Sequence, residues 1–254
     1  MKTPTRSILA GLAVAALLVV SSAAVVTAAS PAVAGGPAGK GICVVQATAV
    51  KAGVSIETLR AFGDCEVARR YTTLDKLSGR ISSSKVLTSS DAAALSSEVA
   101  STKSGLVSLK AQIDAESSLD ALKAEVRRIA TDFRVYLLVV PQVNLVNGAD
   151  AVQAAKAKFD DVSTKLTARI AAAKAAGKDT TAAQADLDAM NAAVAQAVGL
   201  AKPLPGALLP LTPAQYNAGT AGPVLKNSRA ALVQARGLLQ SARKDAQACR
   251  DALK

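Results

Sequence analysis

The feature that most constrains this chain is a change of rhythm near residue 55, where an unbroken apolar leader gives way to Ala, Leu and Val recurring at helical spacing. Apolar side chains every three or four positions put one oily stripe on each helix, and such stripes are buried by laying helix against helix. The predicted fold is therefore all-α: an antiparallel helical bundle or coiled-coil-like hairpins, about six helices in all, after an N-terminal leader. Side chains used for catalysis are scarce. His and Trp are absent, and Phe and Tyr number three each.

The leader has the grammar of a secretory signal peptide. Lys2 and Arg6 form a basic start, Ile8 to Val26 is an apolar run broken only by Gly11, Ser21 and Ser22, and small residues follow through Ala34. The best small-x-small cleavage site is Ala32-Val33-Ala34, with Thr27-Ala28-Ala29 as the second choice. The run is also long enough for an uncleaved anchor, but an anchor does not need the Ala-rich exit. Cys43 follows Gly39-Lys40-Gly41-Ile42, which lacks the lipoprotein pattern, and the leader carries no twin arginine. The expected organisation is a signal peptide over 1–34, an ill-determined segment over 35–54 and a helical domain over 55–254. The expected location is secreted, either extracellular or associated with the cell envelope, with no transmembrane span after cleavage.

The formal charge is +11, falling to +9 once Lys2 and Arg6 are removed. Such a balance favours acidic neighbours: wall polymers, anionic lipid heads or nucleic acid. Cys43, Cys65 and Cys249 are an odd set, and an oxidising exterior allows one bridge. If six helices alternate up and down in one bundle, the start of the first and the end of the last share an end. That favours Cys65 with Cys249; Cys43 with Cys65 is the alternative.

Along the chain, Ser55 is an N-cap candidate before Leu59, Phe62, Val67, Leu74 and Ile81, with Gly63 a point where the helix loosens or breaks. Ser89 or Ser90 opens a second helix striped by Leu95, Val99, Leu106, Leu109 and Ile113. Ser117-Ser118 opens a third, carrying Leu122, Val126, Ile129 and Phe133. The run Val135 to Val140 is almost continuously apolar, and Pro141 predicts a kink or stop. After Gly148, Asp150 is expected to restart a helix through Val152, Phe159, Leu166 and Ala173, ended by Gly177. Asp179 or Thr180 starts the next, on Leu187, Met190, Val194 and Val198. Its remaining face is mostly Ala, so this pair is expected to form a less stable arm. Pro203, Pro205, Pro210, Pro213 and Pro223 predict an irregular but packed connection over Lys202 to Gly222. The last helix starts near Pro223 and repeats Leu225, Leu232, Leu239, Ala246 and Leu253 at sevens.

Asp132, Arg134 and Tyr136, beside the apolar run, are the one polar group that looks placed. They either flank the core and satisfy a bent backbone or form a ligand-contacting cluster. Other constellations are weak. Asp160 and Asp161 point about 100° apart on a helix and do not converge. A Ser nucleophile has no His base, three scattered Cys without His lack zinc spacing, and no phosphate loop follows a strand. No catalytic residue, cofactor or metal site is expected. Arg69-Arg70, Arg127-Arg128 and Arg243-Lys244 are short basic steps, read as solvated faces or as a polyanion-binding strip. Specific nucleic-acid binding is not expected, since stacking wants exposed aromatics among the cations.

Three segments together, Phe62-Gly63-Asp64-Cys65-Glu66-Val67-Ala68-Arg69-Arg70, Asp132-Phe133-Arg134-Val135-Tyr136 through Pro141, and Leu211-Thr212-Pro213-Ala214-Gln215-Tyr216-Asn217, resemble a group of exported helical proteins of actinobacterial type. The resemblance spans residues 55 to 254. It implies secretion and helices, and it transfers no activity and no site. The expected function is a non-enzymatic helical binding or scaffolding module meeting envelope proteins or acidic wall polymers. A basic polyanion- or membrane-surface binder is the alternative, and a hydrolase of unrecognised type comes third.

Overall fold

The computed structural model describes Cys43 and residues 54–254. The leader, its cleavage sites and the rest of the 35–54 segment lie outside the described residues. Among the described residues every regular element is helical. In chain order these are α1 (Ile56–Ser83), α2 (Ser89–Ala115), α3 (Leu119–Thr131), a single π-helical turn (Val135–Val139), α4 (Val140–Ala175) and α5 (Thr181–Ala201). Two one-turn helices follow, α6 (Leu204–Leu208) and α7 (Pro213–Asn217), and then α8 (Ala221–Asp251).

The six long helices sort into two successive three-helix groups. Helix α1 packs on α2 and α3, while α4, α5 and α8 pack on one another. In the first group most of the stripes predicted from spacing are buried: Leu59, Val67, Leu74 and Ile81 on α1, joined by Leu77; Leu95, Val99, Leu106, Leu109 and Ile113 on α2; Leu122 and Ile129 on α3, whereas Phe62, Val126 and Phe133 are only partly buried. Ser55 caps α1 in a capping box with Thr58, Thr88 rather than Ser89 caps α2, and Ser118 caps α3. Gly63 does not break α1. It is a buried notch, where an added Cβ would lie 3.2 Å from a methyl of Val126 and 3.4 Å from one of Ile113, so its lost propensity is exchanged for close approach of three helices.

The break expected at Pro141 falls earlier. Helix α3 ends at Thr131, Arg134 takes a left-handed conformation (φ 43°), and the chain turns through the π segment before α4 begins. Pro141 then sits in the first turn of α4, where its missing N–H is no loss. No restart occurs at Asp150, because α4 runs unbroken over 36 residues. Gly148 within it is a second notch, 3.1 Å from the Leu232 side chain for an added Cβ.

Helix α4 is shared between the groups. Its first turns hold the α1–α2 corner: Ser84 Oγ donates to Asn147 Oδ1 (2.8 Å) and the Thr88 amide donates to Asp150 Oδ2 (2.9 Å). Its later turns bury Val152, Phe159, Leu166 and Ile170 against α5 and α8. One stretch within Leu119–Ala175 is long and apolar enough to cross a bilayer, and 61% of it is buried inside the protein.

Asp150 is 3% exposed. Burial pushes its carboxyl above the ordinary range, the Thr88 amide opposes this, and the Asp91 carboxylate reinforces it. Between the ordinary carboxylate range and this raised value the folded state keeps a proton that the unfolded chain has lost. Stability therefore falls as pH rises through that window. Asp150→Asn keeps an acceptor for Thr88 without the charge. Urea unfolding of both proteins across mildly acidic to neutral pH is expected to show the variant gaining on the parent as pH rises; a constant or shrinking difference would contradict the assignment.

The most extensive helix pairing is α5 with α8. Along α8, Ala221, Ser228, Ala235, Ala242 and Cys249 recur at sevens and all are buried, beside the leucine row Leu225, Leu232 and Leu239. Ala183, Ala197 and Ala201 are buried on α5. The Ala-rich arm expected from sequence is thus part of a three-helix group whose most extensive pairing is rich in buried small residues. The proline-rich connection is also more regular than expected, with Pro205 and Pro213 accepted in the first turns of α6 and α7 and Leu204, Leu208 and Leu211 buried.

Candidate functional site

The α3–α4 break places Asp132, Arg134 and Tyr136 on consecutive sides of one turn, and they do not converge. Asp132 closes α3 and pairs with Arg128, whose Nε lies 2.8 Å from Oδ2; Thr131 Oγ1 donates to the other carboxylate oxygen (2.8 Å). Arg128 is held further by Glu125 and Gln112.

Arg134 turns the other way. Its Nε donates to Asn217 Oδ1 (2.5 Å), and its guanidinium stands 5.3 Å from the Tyr216 ring centre. Asn217 Nδ2 returns a bond to the Thr131 carbonyl (2.9 Å). One amide therefore ties both sides of the break to α7. That gives a local reason for the left-handed Arg134, a conformation uncommon outside glycine.

Tyr136 faces α1. The guanidinium carbons of Arg69 and Arg70 lie 5.0 and 5.3 Å from its ring centre, and Thr73 Oγ1 approaches its hydroxyl at 3.5 Å. Both arginines share Glu66, with Arg69 Nη2 at 2.7 Å from the carboxylate and Arg70 contacting the same oxygen. Burial pushes the Glu66 carboxyl up, but hydrogen bonds from Arg70 and Arg69 outweigh it and hold the group below its ordinary range. Arg70 is only 8% exposed. Arg70 is therefore not on a solvated face, whereas Arg69 stays exposed; together they join α1 to the π turn, and among the described residues the Arg70 Nε has no partner.

A second junction was invisible in the sequence. Gln142, 2% exposed, donates through Nε2 to the carbonyls of Leu208 (2.9 Å) and Leu211 (3.0 Å), fixing the α6–α7 connection to α4. It also lines a groove of about 290 Å³ with Leu95, Glu98, Ser101 and Leu209. A glutamine between Pro141 and Val143 carries no spacing signal, so nothing in the text could single it out. Among the described residues no group of three or more His, Cys, Asp or Glu is placed to hold a metal ion.

The cysteine pairing differs from the one favoured by helix counting. Cys43 is bonded to Cys65, with Cα atoms 5.6 Å apart, and Cys249 is free and buried. The expectation of Cys65 with Cys249 fails because the helices do not alternate in one six-membered bundle. Cys65 belongs to the first group, whereas Cys249 ends the small-residue row of α8 in the second. Burial raises the Cys249 thiol above its ordinary range, with Asp186 adding to the shift and Arg169 and Arg250 opposing it. Alkylation of the native protein followed by non-reducing peptide mapping is expected to recover the Cys43–Cys65 peptide and an unmodified Cys249 that reacts only after unfolding. A Cys249-containing bridge, or labelling of Cys249 in the native state, would refute this placement.

No protein-family model, no curated protein and no solved structure matches the chain.

Proposed function

We propose that this chain is an exported, non-enzymatic helical protein that works as a binding or scaffolding module in the cell envelope or outside the cell. The observation that carries the reading is the fate of the polar cluster at the α3–α4 break. Asp132, Arg134 and Tyr136 are each spent on a different internal partner, Arg128, Asn217 and the Arg69–Arg70 pair respectively. Asp132 closes its own helix, Tyr136 joins the break to α1 and Arg134 joins it to α7, so the working surface in this reading is the exposed helix faces themselves. The Cys43–Cys65 bridge supports export, since disulfides persist in oxidising compartments, and the apolar leader supplies the route.

The test is cosedimentation of the purified mature protein with isolated cell envelopes, beside a turnover screen on peptides, glycans and esters. Saturable retention without turnover is expected. Absence of retention, or turnover abolished by Asp132→Asn or Tyr136→Phe, would defeat the reading.

A further inference from the structure

The positive charge of this protein is segregated. Residues 54–139 carry twelve Lys and Arg against eleven Asp and Glu, whereas residues 140–254 carry fourteen against eight. The ion pairs follow the opposite order. Arg69, Arg70, Lys103, Lys110, Lys123 and Arg128 in the first group are all tied to carboxylates. Among the described residues of the second group only Lys156 and Lys254 are so tied.

The excess is concentrated on α8. Arg229, Arg236, Arg243 and Arg250 recur at sevens, each one residue beyond a member of the buried small-residue row. A seven-residue step advances about 10.5 Å and drifts about 20° around the helix, so the four positions form a nearly straight row about 31 Å long on α8, with the Arg236 guanidinium lying beside Gly148 of α4. Arg229, Arg236 and Arg243 are exposed, and Arg250 is partly covered. None of the four is in an ion pair among the described residues. Arg250 Nη2 donates to Gln247 Oε1 (2.6 Å), while its buried Nε has no acceptor among the described residues. Lys226 and Lys244 flank the row by helical position, and the one acid on this face, Asp251, is held by Lys254.

We propose, resting on the binding-module reading above, that this face of α8 binds a linear, base-free phosphodiester polymer laid along the helix axis. Guanidinium forks match phosphate oxygens in two-point geometry, and a straight row of separate forks suits a flexible chain of regularly spaced phosphates. A single-stranded nucleic acid has the same phosphates but gains its affinity from base stacking. Helix α8 contains no aromatic residue. A bilayer surface is favoured by helices that also insert bulky apolar side chains, and Val233 is the lone exposed large hydrophobic on α8.

The test measures binding of end-labelled synthetic poly(glycerol phosphate) to the mature protein, with oligothymidylate and anionic phospholipid vesicles as the other arms. The triple variant Arg229→Gln, Arg236→Gln, Arg243→Gln is compared with Lys158→Gln, Lys165→Gln, Lys174→Gln, which removes the same charge from exposed positions on α4. The row variant is expected to lose roughly tenfold or more in affinity at physiological salt and to show a shallower salt dependence, while the α4 variant loses less than about threefold. Equal losses in the two variants, no binding by the parent, or equal or tighter binding of oligothymidylate or vesicles by the parent would each overturn the proposal. Envelope cosedimentation of the same proteins separates the two ideas: retention of the parent without polymer binding removes the α8 assignment alone, and loss of all retention removes the binding-module reading with it.

Discussion

Ala235→Leu is expected to lower the unfolding free energy by about 3 kcal/mol, a drop of roughly 6–12 °C in Tm for a domain of this size. Ala235 is fully buried at the middle of the small-residue row Ala221, Ser228, Ala235, Ala242 and Cys249. That row lets α8 lie close against α5, so an isobutyl group there has no space unless the helices separate. Separation would also loosen Leu187, Met190 and Val194 on the facing helix, all of them buried. Leucine costs little in helix propensity relative to alanine, so the loss reports packing. The control is Ala230→Leu on the same helix, where the residue is exposed, and it is expected to leave Tm nearly unchanged. Calorimetry giving both variants the parent's Tm would show that the seam is not close-packed.

Gln142→Leu keeps the volume of the side chain and removes its amide, and it is expected to cost about 2 kcal/mol. The Leu208 carbonyl still receives the Leu211 amide at 3.2 Å, whereas the Leu211 carbonyl loses the Gln142 donor. A second variant sharpens the test. Gln142→Glu would set a carboxylate against those carbonyl oxygens in a buried place, so its folded pKa would be raised and the variant would lose stability as pH rises toward neutrality. Urea unfolding should therefore rank parent above Gln142→Leu above Gln142→Glu near neutrality, with the glutamate variant recovering at mildly acidic pH. A Gln142→Leu protein as stable as the parent would mean that the amide does not anchor the α6–α7 connection.

The helices were legible in the sequence because a helix buries one stripe and the stripe repeats in the text. Leu95, Val99, Leu106, Leu109 and Ile113 are a stripe on paper and a buried face in the protein. Caps were legible for the same local reason, as at Ser55 and Ser118. Of the α8 arginines only the short step Arg243-Lys244 stood out in the sequence; the row Arg229, Arg236, Arg243 and Arg250 gains its meaning once Ala235 and Ala242 beside it are seen to be buried. The cysteines misled, because pairing depends on which helices share a group, and counting helices does not say where one group ends.

What the sequence determined by itself is the class of fold and the absence of His-based chemistry: both follow from which side chains exist and how often the oily ones return. What only the tertiary structure decided is the division into two three-helix groups, the Cys43–Cys65 partnership, and the use of Arg134, Tyr136 and Gln142 as joints. The physical reason is range. Periodicity and capping act within one or two helical turns, whereas Arg134 meets Asn217 and Gln142 meets Leu211 across 83 and 69 residues of chain, and such meetings are set by how whole helices pack.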